Sequence, residues 1–233
     1  ADIEQMIEWF AAAAARAQAA GFDGVELHAA HTYILAGFLS PYYNRRDDAY
    51  GGPIENRARL LVETIRAVKK RTGADFPVWV RLDGEELRTE GGITIADAIA
   101  AARLAEQAGA DAISMSAYAT ITTGVAFTEA PLVQQPGALV GYAAAVKKEV
   151  SVPIIAAGRI NPEMGNEGIE RGLFDFVAMG RKLLADPDLP NKLAANRRQD
   201  VRPCVYCYVC VSQIFINQRV KCAVNAQVGH EFE

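Results

Sequence analysis

Several things are scarce in this sequence, and each shortage closes off a class of function. Cysteine is absent from the first 203 residues and then occurs four times, at Cys204, Cys207, Cys210 and Cys222. A disulfide-stapled secreted domain spreads its cysteines along the chain, so this distribution suits a local cluster that binds something better than a disulfide framework. Basic charge is not in excess either: 24 Lys and Arg stand against 28 Asp and Glu, and the pI is near 5.5. Such a balance gathers neither nucleic-acid phosphates nor an anionic membrane, so neither is expected as a partner. Long apolar runs are missing too. WFAAAAARAQAA, the longest near the start, is broken by Arg16 and Gln18 and follows Asp2, Glu4 and Glu8 rather than a basic segment. It reads as neither a membrane span nor a signal peptide, and the chain reads as cytoplasmic.

What is present is an alternation of helix and short apolar strand. The pattern predicts a helix over residues 2–20, the strand GVELHA, a polar loop from Ser40 to Pro53 and a helix over 55–71. Next come the strand PVWVRLD and a helix over 95–108, then DAISMSA and a helix over 137–150, then PIIAAGRI with a short helix, and DFVAMGR. A terminal helix and connector follow Arg181 and lead to the cysteine tail. Alternating βα units of this kind make a parallel sheet. Short strands, read as buried on both faces, with polar residues at their C-terminal ends fit a (β/α)8 TIM barrel at least as well as an open doubly wound sheet. Five strands are legible where eight are needed. The reading is therefore an incomplete barrel over 1–200, its last five strands present and its first three missing, with a four-cysteine segment over 201–233.

Three constellations carry chemistry. Cys-x2-Cys-x2-Cys-x11-Cys resembles iron–sulfur ligation, three thiolates capping a cubane and the fourth returning from a loop. A structural zinc site is the competitor, though it usually pairs its cysteines as two knuckles across a longer gap. In ELHAAHTY, at the end of the first strand, His28, His31 and Tyr33 gather where a barrel strand opens into its catalytic loop. Alternation puts residues 28 and 31 on opposite faces, so the two imidazoles converge only if the chain turns between them. They read either as satisfied polar residues at a strand end or as donors to a carbonyl oxygen gaining enolate character. In the second reading Tyr33 is the acid, since a phenol stays protonated at neutral pH. The steps Gly158-Arg159 and Gly180-Arg181 read either as turn glycines beside surface arginines or as a phosphate site. Arg81, a charge in an apolar strand, faces a cofactor or forms an ion pair, with Asp83 as its candidate partner.

The run GFDGVELHAAHTYILAGFLSPYYNRRDDAYGGPIENRARL closely resembles the active-site segment of the old yellow enzyme family. The cysteine set narrows the resemblance to its iron–sulfur branch, which includes 2,4-dienoyl-CoA reductase, 2-enoate reductase and trimethylamine dehydrogenase. The resemblance implies an FMN-binding barrel with a 4Fe-4S cluster held by Cys204, Cys207, Cys210 and Cys222. His28 and His31 match the pair that holds the substrate's activating oxygen, and Tyr33 matches the proton donor. Arg81 matches the arginine beside the flavin pyrimidine ring, while Gly158, Arg159, Gly180 and Arg181 match the flavin phosphate site.

The implied activity is NAD(P)H-dependent reduction of a carbon–carbon double bond in a small unsaturated carbonyl compound: an enoate, enoyl-CoA or enone. Electrons from NAD(P)H are expected through an FAD-containing domain absent from this chain. The missing strands and reductase domains, or a partner chain supplying them, complete the expected assembly, and the family often forms homo-oligomers. Amine oxidation of the trimethylamine dehydrogenase type is the alternative. It wants an aromatic bowl for a cationic methyl ammonium, which Trp9 and Trp79 do not form. A non-catalytic electron-transfer subunit is the other alternative, and the retained His28, His31 and Tyr33 argue against it.

Overall fold

The computed structural model describes residues 2–119 and 135–233, which divide into two compact units, Ala1–Ala178 and Met179–Glu233.

The first unit is built on a parallel sheet of β1 (Val25–Ala29), β2 (Val78–Leu87), β3 (Ala112–Ala119), β4 (Ile154–Ala156) and β5 (Phe176–Val177), hydrogen-bonded in chain order. Its helices are α1 (Asp2–Ala19), α2 (Ile34–Leu39), α3 (Ile54–Arg57), α4 (Arg59–Thr72), α5 (Ile95–Gln107), α6 (Val140–Lys147) and α7 (Pro162–Glu170). Local chemistry sets their ends. Asp2 and Glu4 sit in the first turn of α1, where backbone N–H groups are unpaired. Thr94 and Asp97 form a capping box that starts α5. Asn161 accepts from the Met164 N–H at 2.8 Å to start α7, with Pro162 in its first turn. On α4 the buried Leu60, Leu61, Thr64, Ile65 and Val68 repeat at helical spacing and make one apolar face.

Register decides which strand residues share a face. Leu27, Val80 and Ile113 lie on one row and Ala29, Leu82, Met115 and Ala156 on another, all buried in the main core. The alternate rows are polar. Glu26 pairs with Trp79, His28 with Arg81 and Ser114, and Asp83 with Ser116. The strands were expected to be buried on both faces, and the polar face is itself buried or half-buried, with Asp83, Ser114 and Ser116 each at most 3% exposed. One face carries the aliphatic core, and the other carries the ionisable residues from which a site can be built.

Several boundaries also differ from the sequence reading. The PIIAAGRI strand stops at Ala156, because Gly158 and Arg159 turn into the left-handed region at φ 105° and 59°. The helix over 55–71 is broken at Ala58 into α3 and α4. α2 begins directly after Tyr33, in a stretch for which the sequence had shown no helix.

In the second unit the segment after Gly180 forms α8 (Arg181–Ala185) and α9 (Leu189–Ala194) rather than one helix. Asp186 interrupts it. Its carboxylate is buried and accepts from Lys192 Nζ at 2.7 Å and from the Arg202 N–H at 2.8 Å. A further helix, α10 (Val209–Phe215), carries Cys210. No helix among the described residues is long and apolar enough to cross a membrane.

Replacing Ile65, fully buried in α4, by Ala should cost about 2–5 kcal/mol. Ile169→Ala, at a position 45% exposed on α7, should stay within about 0.5 kcal/mol. Urea unfolding midpoints of the two variants check the contrast.

Candidate functional site

The site in the first unit begins where β1 ends. His28 is its penultimate residue, and the chain then passes through His31 and Thr32, both left-handed at φ 60° and 58°, before Tyr33 opens α2. This turn is the one required for the two imidazoles to meet. The His28 and His31 rings lie edge to face with centroids 4.8 Å apart, and Tyr33 lies 4.9 Å from His28. Tyr33 is 61% exposed, so its hydroxyl is open to whatever approaches.

Neighbouring strands supply the surroundings. Ser116 Oγ on β3 is 2.7 Å from His31 Nε2, and the Tyr118 ring lies 6.2 Å from that imidazole. From β2, Asp83 Oδ2 accepts the His31 backbone N–H at 2.6 Å. The expected Arg81–Asp83 pair does not form. Instead Arg81 Nε sits 3.0 Å from Glu26 Oε1, an ion-pair distance without hydrogen-bond alignment, while Trp79 Nε1 donates to Glu26 Oε2 at 2.9 Å. The reason is geometric. The side chains of Glu26 and Arg81 emerge from adjacent strands on the same face, whereas Asp83 is drawn toward the turn after β1.

Burial sets the charges. His31 is held well below an ordinary imidazole, to about 3, by desolvation, with His28 and the Arg81 cation adding to it. His28 is lowered by burial and by Arg81. Both rings are therefore neutral at neutral pH and act as single hydrogen-bond donors rather than as cations. Asp83 is pushed up to about 8 by burial, with Glu86 adding to the push, against the opposing His31 N–H and Arg81.

Gly158 has a steric reason to be glycine: φ is 105°, and a Cβ there would meet Leu139 Cγ at 3.0 Å. Its carbonyl accepts from the Gly137 N–H at 3.1 Å, and Arg159 follows it in a left-handed conformation. Gly180 has φ −88° and precedes α8, with open space beside it. It belongs to the second unit.

In that unit Cys204, Cys207, Cys210 and Cys222 line a pocket open to solvent together with Arg181. All four thiols are free. The Tyr206 N–H donates to Cys204 Sγ at 3.4 Å, and burial pushes the Cys210 thiol up. Tyr206 and Tyr208 are left-handed, at φ 53° and 63°, and the Arg181 guanidinium lies 5.3 and 4.8 Å from their ring centroids. Among the described residues no three Cys, His, Asp or Glu converge tightly enough to hold one metal ion. The cysteines instead surround a space.

Residues 1–200 match the model of the NADH:flavin oxidoreductase / NADH oxidase family. The chain belongs to that family. It is 39% identical over 235 residues to NADH oxidase of Thermoanaerobacter brockii, covering 99% of this chain and 35% of that protein. Cinnamate reductase of Clostridium sporogenes is 37% identical over 251 residues, covering 100% of this chain and 37% of its own length. A solved complex of 2-naphthoyl-CoA reductase with 2-naphthoyl-CoA superposes with a TM-score of 0.93 at 33% identity, over 99% of this chain and 35% of that one. The chain thus spans about a third of the length of the curated relatives it matches. The old yellow enzyme resemblance is upheld, and with it an α/β fold on a parallel sheet with old yellow enzyme neighbours.

Sequence reasoning singled out His28, His31, Tyr33 and Arg81, which the structure brings to one sheet face, and passed over Glu26, Ser114 and Ser116 on the same face. Their signal was available, since each is polar at an alternate position of an apolar strand.

The pair Asp83 and His31 makes stability depend on pH in a defined way. Between about pH 3.8 and 6.5 the folded state holds a proton on Asp83 and the unfolded state holds one on His31, so their effects cancel. Between 6.5 and 8 only the folded state holds the extra proton, so stability falls as pH rises. Asp83→Asn should flatten that fall, as read from urea midpoints at pH 6.5, 7.2 and 8; an unchanged slope would contradict the assignment.

Proposed function

We propose that this chain is the substrate- and flavin-binding part of an ene-reductase that reduces the double bond of an α,β-unsaturated carbonyl compound. One observation carries the reading. A left-handed turn brings the rings of His31 and Tyr33 each within 5 Å of the His28 ring, at the C-terminal end of a parallel strand. Cinnamate reductase and 2-naphthoyl-CoA reductase, whose names specify conjugated carbonyl substrates, support the substrate class.

The polar sheet face suits a flavin. Among the described residues, His28 Nδ1 and Ser114 Oγ are buried without a hydrogen-bond partner, on the same row as Arg81. Buried polar atoms of this kind are costly unless a ligand completes them. Arg81 would face the electron-rich edge of FMN, and Gly158 and Arg159, in the same unit, would hold its phosphate. The four cysteines lining one pocket, with a backbone N–H already aimed at one sulfur, suit a 4Fe-4S cluster better than a single zinc ion. When bound, FMN supplies the hydride and the cluster supplies the single electrons, drawn from NAD(P)H, that replenish it.

The chain's own residues do the rest. Neutral His28 and His31 donate to the substrate's carbonyl oxygen, favouring the charge that develops there as the β-carbon receives hydride. Tyr33, beside His28 and open to the substrate, delivers the proton to the α-carbon.

Tyr33→Phe should slow substrate reduction by about 10²–10⁴-fold and leave reduction of the flavin by dithionite unchanged. Stopped-flow measurement of the two half-reactions decides, and equal loss of both would contradict the role. Anaerobically prepared protein should carry about four irons and four sulfides per chain. Cys207→Ser should lose the iron and sulfide while FMN remains; zinc without sulfide would overturn the cluster.

A further inference from the structure

Asp83 is the residue that the proposed chemistry does not use. It is 2% exposed, sits beside Ser116 in the β2–β3 register, and has no ion pair with Arg81, which turns to Glu26. What it does hold is His31, whose backbone N–H donates to Oδ2 at 2.6 Å and whose ring Nε2 lies 3.7 Å from Oδ1.

The segment it holds is one that the chain would not adopt unaided. His31 and Thr32 are two successive left-handed residues, neither of them glycine and the second β-branched. In such conformations Cβ crowds the following carbonyl, and they persist only where the surroundings over-determine them. Released, the turn relaxes toward right-handed or extended geometry, and the His31 ring leaves the face it shares with His28. A second tie acts on the ring itself, where Ser116 Oγ lies 2.7 Å from Nε2. The imidazole is thus fixed at its amide by β2 and at its ring by β3, from two side chains at one register level.

We propose that Asp83 is a positioning residue for His31: its buried carboxyl fastens the left-handed turn after β1 and so fixes the direction in which the His31 imidazole is presented. The anchoring concerns only the chain's own atoms. Its consequence for turnover rests on the reading that His31 holds the substrate's oxygen.

The protein has three histidines, so the ring nitrogens of a uniformly 15N-histidine-labelled sample give few and separable signals. Asp83→Asn keeps an oxygen acceptor for the His31 N–H, whereas Asp83→Leu fills similar space without one. We expect the Asn variant to keep the wild-type ring signals of His28 and His31. The Leu variant should shift both, leave His230 in place, and raise KM for an enone such as cyclohexenone by about tenfold, the factor carried by one hydrogen bond. Flavin reduction by dithionite should not change. Identical ring signals in the Leu variant and the wild type would overturn the proposal. Shifted signals with an unchanged KM would uphold the anchoring and count instead against His31 as the substrate's oxygen ligand. Should the Leu variant fail to fold, amide exchange in the unaltered protein decides. A His31 N–H protected like the core strands supports the anchoring, and one exchanging like an exposed loop amide overturns it.

Discussion

The first unit depends on the two-residue period of a parallel sheet held in register. Because each strand aligns its neighbour residue for residue, the aliphatic rows Leu27–Val80–Ile113 and Ala29–Leu82–Met115 are continuous, and so, by necessity, are the rows between them. The sequence fills those intervening rows with Glu26, Trp79, His28, Arg81, Ser114, Asp83 and Ser116. A slip of one residue in any strand would send these polar groups into the core and its valines to the open face. The buried aliphatic face therefore specifies the site as much as it stabilises the fold. Register, not proximity in the chain, assembles the chemistry.

Two features sharpen that assembly. The turn after β1 converts a strand's alternation into a convergence, bringing His31 back beside His28. Burial then removes charge from where it would be expected, leaving both imidazoles neutral and Asp83 reluctant to ionise. The guanidinium of Arg81 is the positive group among them, and Glu26 moderates it. A site of neutral donors beside one tethered cation suits the stabilisation of charge that appears transiently on a carbonyl oxygen more than the permanent capture of an anion.

Much of this was legible in the residues and some was not, for identifiable reasons. The five strands announced themselves because Val, Ile and Leu at alternate positions leave little other choice, and α1, α4 and α5 because their caps and apolar stripes agree. The last two strands were read too long, since the left-handed Gly158 and Arg159 end an extended segment that their apolar neighbours suggest should continue. α2 was missed because ILAGFL carries no cap and no periodic stripe in six residues. The Arg81 partner was assigned to Asp83 by nearness in sequence. Cross-strand register, which places Glu26 and Arg81 on one face, is information that a single strand does not contain.

The sharing of Glu26 between Trp79 and Arg81 also makes the sheet report on itself. An indole whose N–H is tied to a carboxylate changes its emission when that carboxylate's charge is drawn elsewhere, and Glu26 divides its two oxygens between the indole and the guanidinium. Trp9, the other tryptophan, lies 64% exposed on α1 and emits from a watery environment. The protein thus carries an intrinsic optical probe on the polar face, with a solvent-facing reference in the same chain.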